Sequence, residues 1–331
     1  MVGAVLSLAL IAFAVFGPLL SGKDPYASDF VHGASPETGL PTPPGAEFLL
    51  GADRLFRDQL VRLAVGARLS LLIAFAATAI SNVLGGAVGI VSGYYEGSSG
   101  VRLPWPFLVS LGAAFFLVLS HGNWAAPAAS IAAGVLVAIV AEKWAEKWNI
   151  AWLARGPRLN LDTALMRLVD VGLCFPFLLL VMAIGAALDQ TTAVSIFVIL
   201  GLTSWLGAAR VFRAKTMQVR HLEYVQASRA LGQSTVWILI RHILPNLAGT
   251  FIVLSTTYIG QMILAESVLS YLGVGIAPPT PTWGLMLFQG QDTYATAPWL
   301  VLVPAGAILI AVFGFNLLGE GLRDALDPRE N

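Results

Sequence analysis

Side chains of the kinds that catalyse reactions or bind metals are few in this chain of 331 residues, and they are not grouped. The four histidines are scattered along the sequence and form no HExxH pair, and the single cysteine cannot join an intramolecular disulfide or a cysteine-based metal cluster. The GxxxxGKS/T loop that binds nucleotide phosphates is also missing. We therefore expect no bond chemistry, no nucleotide hydrolysis, and no cofactor or metal site in this chain.

Two acidic residues beside long apolar runs are the remaining candidates for a chemical role. Asp170 is predicted at the inner mouth of one apolar span, and Glu266 near the outer end of another. Ionisable side chains within membrane helices are functional candidates by default. Both residues also lie close to helix ends, where they would only cap the helix or bind water. The sequence leaves the functional and the structural role open for each.

The composition identifies the environment that these residues need. Hydrophobic residues make up 57% of the chain and charged residues 11%, with a mean hydropathy of +0.77. Soluble domains carry about 25% charged residues, and several runs here approach the roughly 20 apolar residues that cross a bilayer. We predict an all-α polytopic membrane protein. The net charge of zero argues against a nucleic-acid partner.

The first 65 residues are predicted to form one membrane helix and an extracytoplasmic loop. The apolar run 2–20 ends at Gly17 and Pro18 and lacks the basic flank and cleavage site of a signal peptide, so we expect a retained helix. Its missing basic flank suggests a true start upstream of Met1. Residues 21–65 contain five prolines and are expected to form a polar loop.

A long helix predicted over 69–91 carries a glycine stripe. Gly85, Gly89 and Gly93 recur at every fourth position, which produces a groove where another helix can approach closely. The alternative is that glycine is simply common in membrane helices.

The segment 101–160 is less regular. Apolar runs at 103–120 and 125–141 predict a transmembrane hairpin, or else a re-entrant pair. In residues 142–158 three tryptophans recur at every fourth position beside lysines and arginines, which favours a helix lying on the membrane surface over one packed on a neighbour.

The remaining predicted spans are 169–188, 194–212, 247–268 and 298–318. The total is eight spans, or six without the hairpin, so both chain ends lie on the same side. Placing the N-terminus inside leaves fourteen of the 19 Lys and Arg residues in or beside inner segments. This positive-inside bias predicts that both termini and the stretch 223–246 are cytoplasmic.

The stretch 223–246, "EYVQASRALGQSTVWILIRHILPN", is charged and lies between two apolar spans. It is predicted to form two short amphipathic helices with a break at Gly232, which can adopt the left-handed conformation that ends a helix. Val225, Ser228 and Leu231 are expected on one helical face, and Pro245 marks the bend before the next span. The segment is either an ordinary connector or a helix that docks in a partner's groove.

Residues of this stretch resemble a known motif. "QASRALG" at 226–232 and "HILP" at 242–245 are similar to the EAA loop of ATP-binding-cassette importer permeases, whose pattern is E-A-A-x3-G-x9-I-x-L-P. Gln226 replaces the glutamate of the family and His242 replaces its first isoleucine. The matching positions are Gln226, Ala227, Ser228, Gly232, Leu244 and Pro245.

The resemblance extends over nearly the whole chain outside about 101–160, which is an insertion relative to it. "GARLSLL", "MRLVDV", "ILAESVLSYLGVGIAPPTPTWGLML" and "LRDALDPR" resemble the second membrane subunit of dipeptide and oligopeptide importers, a branch that includes nickel-complex importers. "LLGADRLFRDQLVRL" at 49–63 is similar to the "LLGTDxLGRDxxSRL" of this branch, with Ala52 and Phe56 departing from it.

The resemblance implies a type I ABC importer permease fold with six core helices, in which 66–331 is the permease domain, interrupted by the insertion. It implies a prokaryotic inner-membrane location and no enzymatic activity in this chain. The expected partners are a homologous second permease subunit, two cytoplasmic ATPases that bind ATP and Mg, an extracytoplasmic substrate-binding protein and membrane lipid. The residues expected to couple to the ATPases are Tyr224, Val225, Gln226, Ala227, Ser228, Leu231, Gly232 and Pro245.

The expected cargo is a dipeptide or oligopeptide, with a nickel or other metal complex as the alternative. Two further classes are an ion-coupled secondary transporter and a membrane scaffold. The first needs ionisable residues at mid-span, and the predicted span centres are nearly free of them.

Overall fold

The structure is a computed structural model, and it describes residues 1–35, 39–97, 101–102, 158–188 and 191–326. The chain divides into two compact units, Met1–Ile90 with Val169–Asn331, and Val91–Leu168. The predicted hairpin and nearly all of the tryptophan-rich segment lie outside the described residues.

Among the described residues the regular structure is helical, apart from one short antiparallel strand pair and two isolated bridges, Ala34 with Pro41 and Ala52 with Asp58. Strands β1 (Val101–Arg102) and β2 (Arg158–Leu159) pair at the two ends of the stretch 103–157. The helices are α1 Val2–Ser21, α2 Gln59–Tyr94, α3 Leu161–Leu173, α4 Phe177–Ala186, α5 Ala193–Val219, α6 Glu223–Ala230, α7 Thr235–Ile238, α8 Leu244–Asn246, α9 Ala248–Tyr271, α10 Trp283–Gly290 and α11 Trp299–Leu326. A π-helical turn, Leu239–Ile243, joins α7 to α8, and a 3-10 turn, Gln291–Thr293, follows α10.

Five of these helices are long and apolar enough to cross a membrane, namely α1, α2, α5, α9 and α11. The bent pair α3 and α4 would make a sixth span. The prediction of an all-helical chain with several membrane spans is therefore confirmed for the described residues.

The span predicted over 169–188 is not one continuous helix in the structure. Helices α3 and α4 meet at an angle of 78°, with the break at residues 174–176. Pro176 has no backbone N–H and disfavours helical geometry at the residue before it, which explains why the helix stops here and restarts at Phe177.

The bounds of the first two spans also differ from those predicted. Helix α1 continues through Pro18 and ends before Gly22, which has a φ of 62°. Helix α2 begins ten residues before the predicted start at 69, because Asp58 caps it. The Asp58 Oδ1 accepts hydrogen bonds from the backbone N–H groups of Leu60 (2.9 Å) and Val61 (3.3 Å).

The core of the larger unit lies where α9 packs against α10 and α11, while α1 packs on α11. Glycines allow the close approach of α1 and α11: a Cβ on Gly314 would lie 3.1 Å from the Cβ of Leu6. Trp283, at the start of α10, is fully buried, and its indole Nε1 donates to the Leu63 carbonyl of α2 at 3.1 Å. This contact ties α10 to the beginning of α2.

The loop 22–58 has no helix among its described residues, as predicted, but ion pairs hold it in place. Asp53 lies between two buried arginines, with its Oδ2 2.7 Å from the Nη2 of Arg57 and 3.2 Å from the Nε of Arg62. Lys23 reaches Asp58 at 3.2 Å.

Candidate functional site

The stretch 223–246 folds as two helical limbs joined at Gly232. The first limb is α6, and the second limb runs from α7 through the π-helical turn to α8. Helix α6 carries Glu223 in its first turn and Arg229 in its last turn, so both charges interact favourably with the helix dipole. Gly232 follows with a φ of 78°. Its N–H donates to the Arg229 carbonyl (3.0 Å) and the N–H of Gln233 donates to the Ser228 carbonyl (3.3 Å). These two bonds form a Schellman motif, which fixes the direction in which the chain leaves the helix.

Side chains reinforce this turn. The Ser228 hydroxyl donates to the Gln233 Oε1 across it. Ser234 then caps α7, where its Oγ accepts from the Trp237 N–H at 3.4 Å. The turn is therefore defined on both sides by local hydrogen bonds.

A ring cluster joins the two limbs. The imidazole of His242 lies between Tyr224 on the first limb and Trp237 on the second, with ring centroids 5.7 Å and 5.1 Å apart. His242 stands where the family motif has an isoleucine, so the departure noted in the sequence supplies a contact between the limbs.

Each limb has buried side chains. Val225 and Ser228 are buried on the first limb, and Ile238 and Ile243 on the second. Leu231 was predicted to share the face of Val225 and Ser228, and this is wrong: 81% of Leu231 is exposed. Leu231 lies at the helix end, where the chain has begun to turn away from that face.

Several large apolar side chains of the stretch remain uncovered. We call them the exposed apolar group: Tyr224, Leu231, Val236, Trp237 and Ile240. The other predicted coupling residues Gln226, Ala227, Gly232 and Pro245 are also exposed. The Gln226 Nε2 donates to the His221 carbonyl at 3.4 Å.

Both ends of the stretch meet the membrane helices at one cavity. Leu222 and Pro245 line a space of about 990 Å³ together with residues of α5, α9 and α11. Lys215 and Arg323 contribute its positive charges.

The predicted glycine stripe lies on α2 at a close crossing with α5. A Cβ on Gly85 would lie 2.5 Å from the Cβ of Ala208, and a Cβ on Gly89 would lie 2.8 Å from the Cβ of Phe212. Gly93 is buried within the smaller unit.

Glu266 of α9 is fully buried and is held by hydroxyl groups. Its Oε2 accepts from Ser70 of α2 at 2.9 Å, and its Oε1 accepts from Ser270 at 2.8 Å. The Thr282 side chain, which precedes α10, also hydrogen bonds to it. The ion pairs of the described residues do not include Glu266. Its carboxyl group therefore joins three elements through neutral partners.

Asp170 of α3 has a different setting. Its Oδ1 lies 2.7 Å from the Nη2 of Arg210 on α5, and both side chains are about half exposed. Sequence reasoning missed Arg210, because nothing in the local pattern shows that α3 and α5 bring the two charges together. It also missed the contact of Arg68 on α2 with the carbonyl oxygens of Ala14 and Val15 on α1.

Among the described residues no group of three His, Cys, Asp or Glu side chains could hold a metal ion.

The chain is similar to known transport proteins. Residues 150–331 match the family model described as "Binding-protein-dependent transport system inner membrane component". The oligopeptide transport system permease protein OppC of Bacillus subtilis is 30% identical over 329 residues, which cover 99% of this chain and 85% of that protein. The dipeptide transport system permease protein DppC of Alkalihalophilus pseudofirmus is 30% identical over 328 residues, with the same coverage.

A more similar but shorter match is the OppC of Salmonella typhimurium, which is 40% identical over 171 residues. This match spans 52% of the chain and 56% of that relative's length. A structure of the MetNI methionine ABC transporter covers 75% of the chain at 14% identity and a TM-score of 0.37, a similarity too low to support a conclusion. The predicted family is confirmed by the family model and the full-length relatives: the chain belongs to the binding-protein-dependent transport system inner membrane components.

Proposed function

We propose that this chain is a permease subunit of an ATP-driven, binding-protein-dependent importer of dipeptides or oligopeptides. The family membership and the names of the relatives support the transport role and the peptide cargo. The chain forms half of the pathway across the membrane, and it performs no bond chemistry itself.

The conformation of the stretch 223–246 is the observation that supports its coupling to an ATPase. Its turn is fixed by a Schellman motif and its limbs are joined by His242, so it moves as one body. The exposed apolar group is largely uncovered by the described part of the chain, and an apolar group of this kind fits a hydrophobic groove on a partner. We assign that groove to a cytoplasmic ATPase.

A push on this body reaches the membrane helices directly. Leu222 and Leu247 connect it to α5 and α9, and its own side chains Val225, Ile238 and Ile243 are buried. Tightly packed elements transmit displacement as rigid-body motion. Helix α5 crosses α2 at Gly85 and Gly89, and we propose that this part of the glycine stripe is the surface against which α5 moves.

The proposed assembly contains this chain, a homologous second permease, two ATPases and an extracytoplasmic binding protein, in an inner membrane. ATP and Mg are bound by the ATPases. We propose that both termini and the stretch 223–246 lie on the cytoplasmic side, which the distribution of Lys and Arg and an even number of spans support. The loop 22–58 then faces the binding protein.

The test uses two leucines that are both largely exposed. Leu231→Asp places a charge in the exposed apolar group, and Leu49→Asp places one in the loop 22–58, where 66% of Leu49 is exposed. We expect Leu231→Asp to abolish co-purification of the ATPases and ATP-dependent dipeptide uptake, while Leu49→Asp retains the ATPases. Retention of ATPases and uptake by Leu231→Asp, or uptake without nucleotide, contradicts the proposal. Uptake of a nickel complex in place of dipeptide would change the assigned cargo.

A further inference from the structure

The Asp170–Arg210 ion pair is a partly exposed link between α3 and α5. The two side chains keep 44% and 54% of their area exposed, beside the exposed side chains of Val171 and Val211. Both residues lie near the ends of the spans predicted over 169–188 and 194–212. Charged side chains that face lipid are costly, and those that occur in membrane helices face a bundle interior or a water-filled cavity. This face of α3 and α5 therefore meets water or protein.

A groove of about 350 Å³ opens one helical turn from the ion pair. Leu173 and Gly207 line it, and they lie three residues from Asp170 and Arg210 on the same helical faces. The groove has an apolar wall and a few polar groups, which is the usual composition of a small-molecule site. Its lining includes Leu173, Phe177, Gly207, Tyr258, Gln261 and Met262.

Two polar groups in this groove give an independent indication that it is wet. Gln261 is exposed near the middle of α9, and neither its amide nor the Tyr258 hydroxyl has a hydrogen-bond partner among the described residues. An amide that faces hydrocarbon without a partner costs several kcal/mol, of order 2–7. Gln261 is therefore suited to a groove that holds water or a polar ligand.

We propose that this groove and the Asp170–Arg210 pair form a binding subsite for a short zwitterionic peptide on the translocation path. The inference rests on the proposed function and adds a site to it. Arg210 uses its Nη2 for Asp170, so its other N–H groups can donate to the carboxylate of the peptide. The Asp170 Oδ2 accepts from the peptide ammonium group. Gln261 and Tyr258 hydrogen bond to the peptide backbone, and the apolar wall receives its side chains.

The single cysteine of the chain provides a reporter at this place. Cys174 is exposed and follows Leu173 directly, and its N–H donates to the Asp170 carbonyl at 3.1 Å. A charged thiol reagent reacts with the thiolate, which forms in water and not in lipid. The measurement is the labelling rate of Cys174 in the complete complex in nanodiscs, without nucleotide or binding protein, with a Cys174→Ser complex as the blank.

We expect Cys174 to be labelled, and free alanyl-alanine at ten times its Kd to slow the labelling about ten-fold. N-acetyl-alanyl-alanine amide, which has neither charge, should give no protection. Asp170→Asn and Arg210→Gln should abolish protection by the free dipeptide. Arg54→Gln is the matched control, because Arg54 pairs with Asp292 at 3.0 Å with similar exposure, in a different part of the chain, and it should leave protection unchanged.

Three results would overturn the proposal. Cys174 that resists labelling shows a groove covered by lipid or by the second permease. Equal protection by alanyl-alanine and by N-acetyl-alanyl-alanine amide excludes recognition of the charged peptide ends. Protection by alanyl-alanine that survives in both Asp170→Asn and Arg210→Gln excludes it as well. Because labelling requires neither ATP nor uptake, each of these results leaves ATP-driven import untouched, and a failure of ATP-driven uptake leaves the labelling result interpretable.

Discussion

The Nε of Arg68 on α2 lies 3.3 Å from the carbonyl oxygen of Ala14 on α1. Pro18 has no N–H, so the Ala14 carbonyl lacks the donor that a helix normally supplies four residues later. Arg68 also donates through its Nη2 to the Val15 carbonyl at 3.1 Å. The arginine thus takes the place of the missing backbone donor, which accounts for the continuation of α1 through the proline.

The first prediction concerns this replacement. Arg68→Leu should lower the free energy of unfolding by about 1–3 kcal/mol, because it leaves the Ala14 carbonyl without a donor. Pro18→Ala restores the backbone N–H, so Arg68→Leu should cost clearly less in a Pro18→Ala background. The apparent melting temperatures of the four proteins in nanodiscs form a double-mutant cycle. Strictly additive effects would mean that Arg68 acts elsewhere.

The second prediction concerns the crossing of α2 and α5. A Cβ on Gly89 would overlap the Ala209 carbonyl oxygen and lie 2.8 Å from the Cβ of Phe212. Gly89→Ala must therefore separate the helices, at a cost of about 1–3 kcal/mol. A Cβ added to Gly306 of α11 would have no atom of the described residues within 4 Å, so Gly306→Ala should not lower the melting temperature. Equal effects of the two substitutions on the melting temperature would refute the packing role of Gly89.

The third prediction concerns Glu266. Glu266→Leu leaves the Ser70 and Ser270 hydroxyls in a buried site without their acceptor, and it should cost about 1–3 kcal/mol per lost partner. Glu266→Gln keeps an acceptor oxygen and a similar shape, so most of the stability should remain. Thermal unfolding of both variants in nanodiscs checks this, and a Glu266→Gln protein as unstable as Glu266→Leu would show that the charge itself is needed.

The membrane spans could be predicted from the sequence because apolar runs of bilayer length have few alternatives. Their ends were less predictable. The start of α2 depends on Asp58, which caps the helix. The first turns of α2 contain the charged Arg62, so their sequence resembles a loop unless the ion pair of Arg62 with Asp53 is known. The bend at Pro176 has a local cause, and the uniform hydropathy of the run 169–188 concealed it.

In the functional stretch, the break at Gly232 was predicted correctly because a glycine at that place needs no tertiary information. The relative position of the two limbs did require tertiary information, because it depends on the contacts of His242 with Tyr224, across the turn, and with Trp237. The pairing of Arg210 with Asp170 likewise joins separate helices. Helical periodicity grouped Leu231 with Val225 and Ser228 because it extends the helix past its actual end at Ala230.

The fourth prediction separates backbone conformation from space at Gly232. No atom of the described residues lies within 4 Å of a Cβ added there, but the φ of 78° disfavours residues other than glycine. Gly232→Val should lose about 1–2 kcal/mol of local stability, which opens the turn, whereas Gly232→Asn should retain it because asparagine tolerates this conformation. Hydrogen exchange of the Gln233 amide and dipeptide uptake are the measurements. Loss of uptake in both variants would show that the site needs small size rather than conformation.

Phe56 occupies a position where the related motif has glycine, and its φ is 59°. Its N–H donates to the Asp53 carbonyl at 2.8 Å, and its carbonyl accepts from the Asp29 N–H at 2.9 Å, so the loop holds the left-handed conformation in place. The phenyl ring packs edge-on against Phe30, with ring centroids 5.4 Å apart. The side chain thus gains an aromatic contact in a conformation that is unfavourable for it.

The fifth prediction distinguishes these two effects. Phe56→Ala removes the ring and keeps a Cβ in the left-handed region, whereas Phe56→Gly removes both the ring and the strain. Glycine should therefore be more stable than alanine by about 1 kcal/mol, the reverse of the usual order in an ordinary loop or helix. Leu49, in the same loop and largely exposed, is the control, where Leu49→Gly should not exceed Leu49→Ala in stability. Melting temperatures of the four variants decide the question, and a Phe56→Ala protein at least as stable as Phe56→Gly would mean that the backbone relaxes away from the left-handed conformation once the ring is gone.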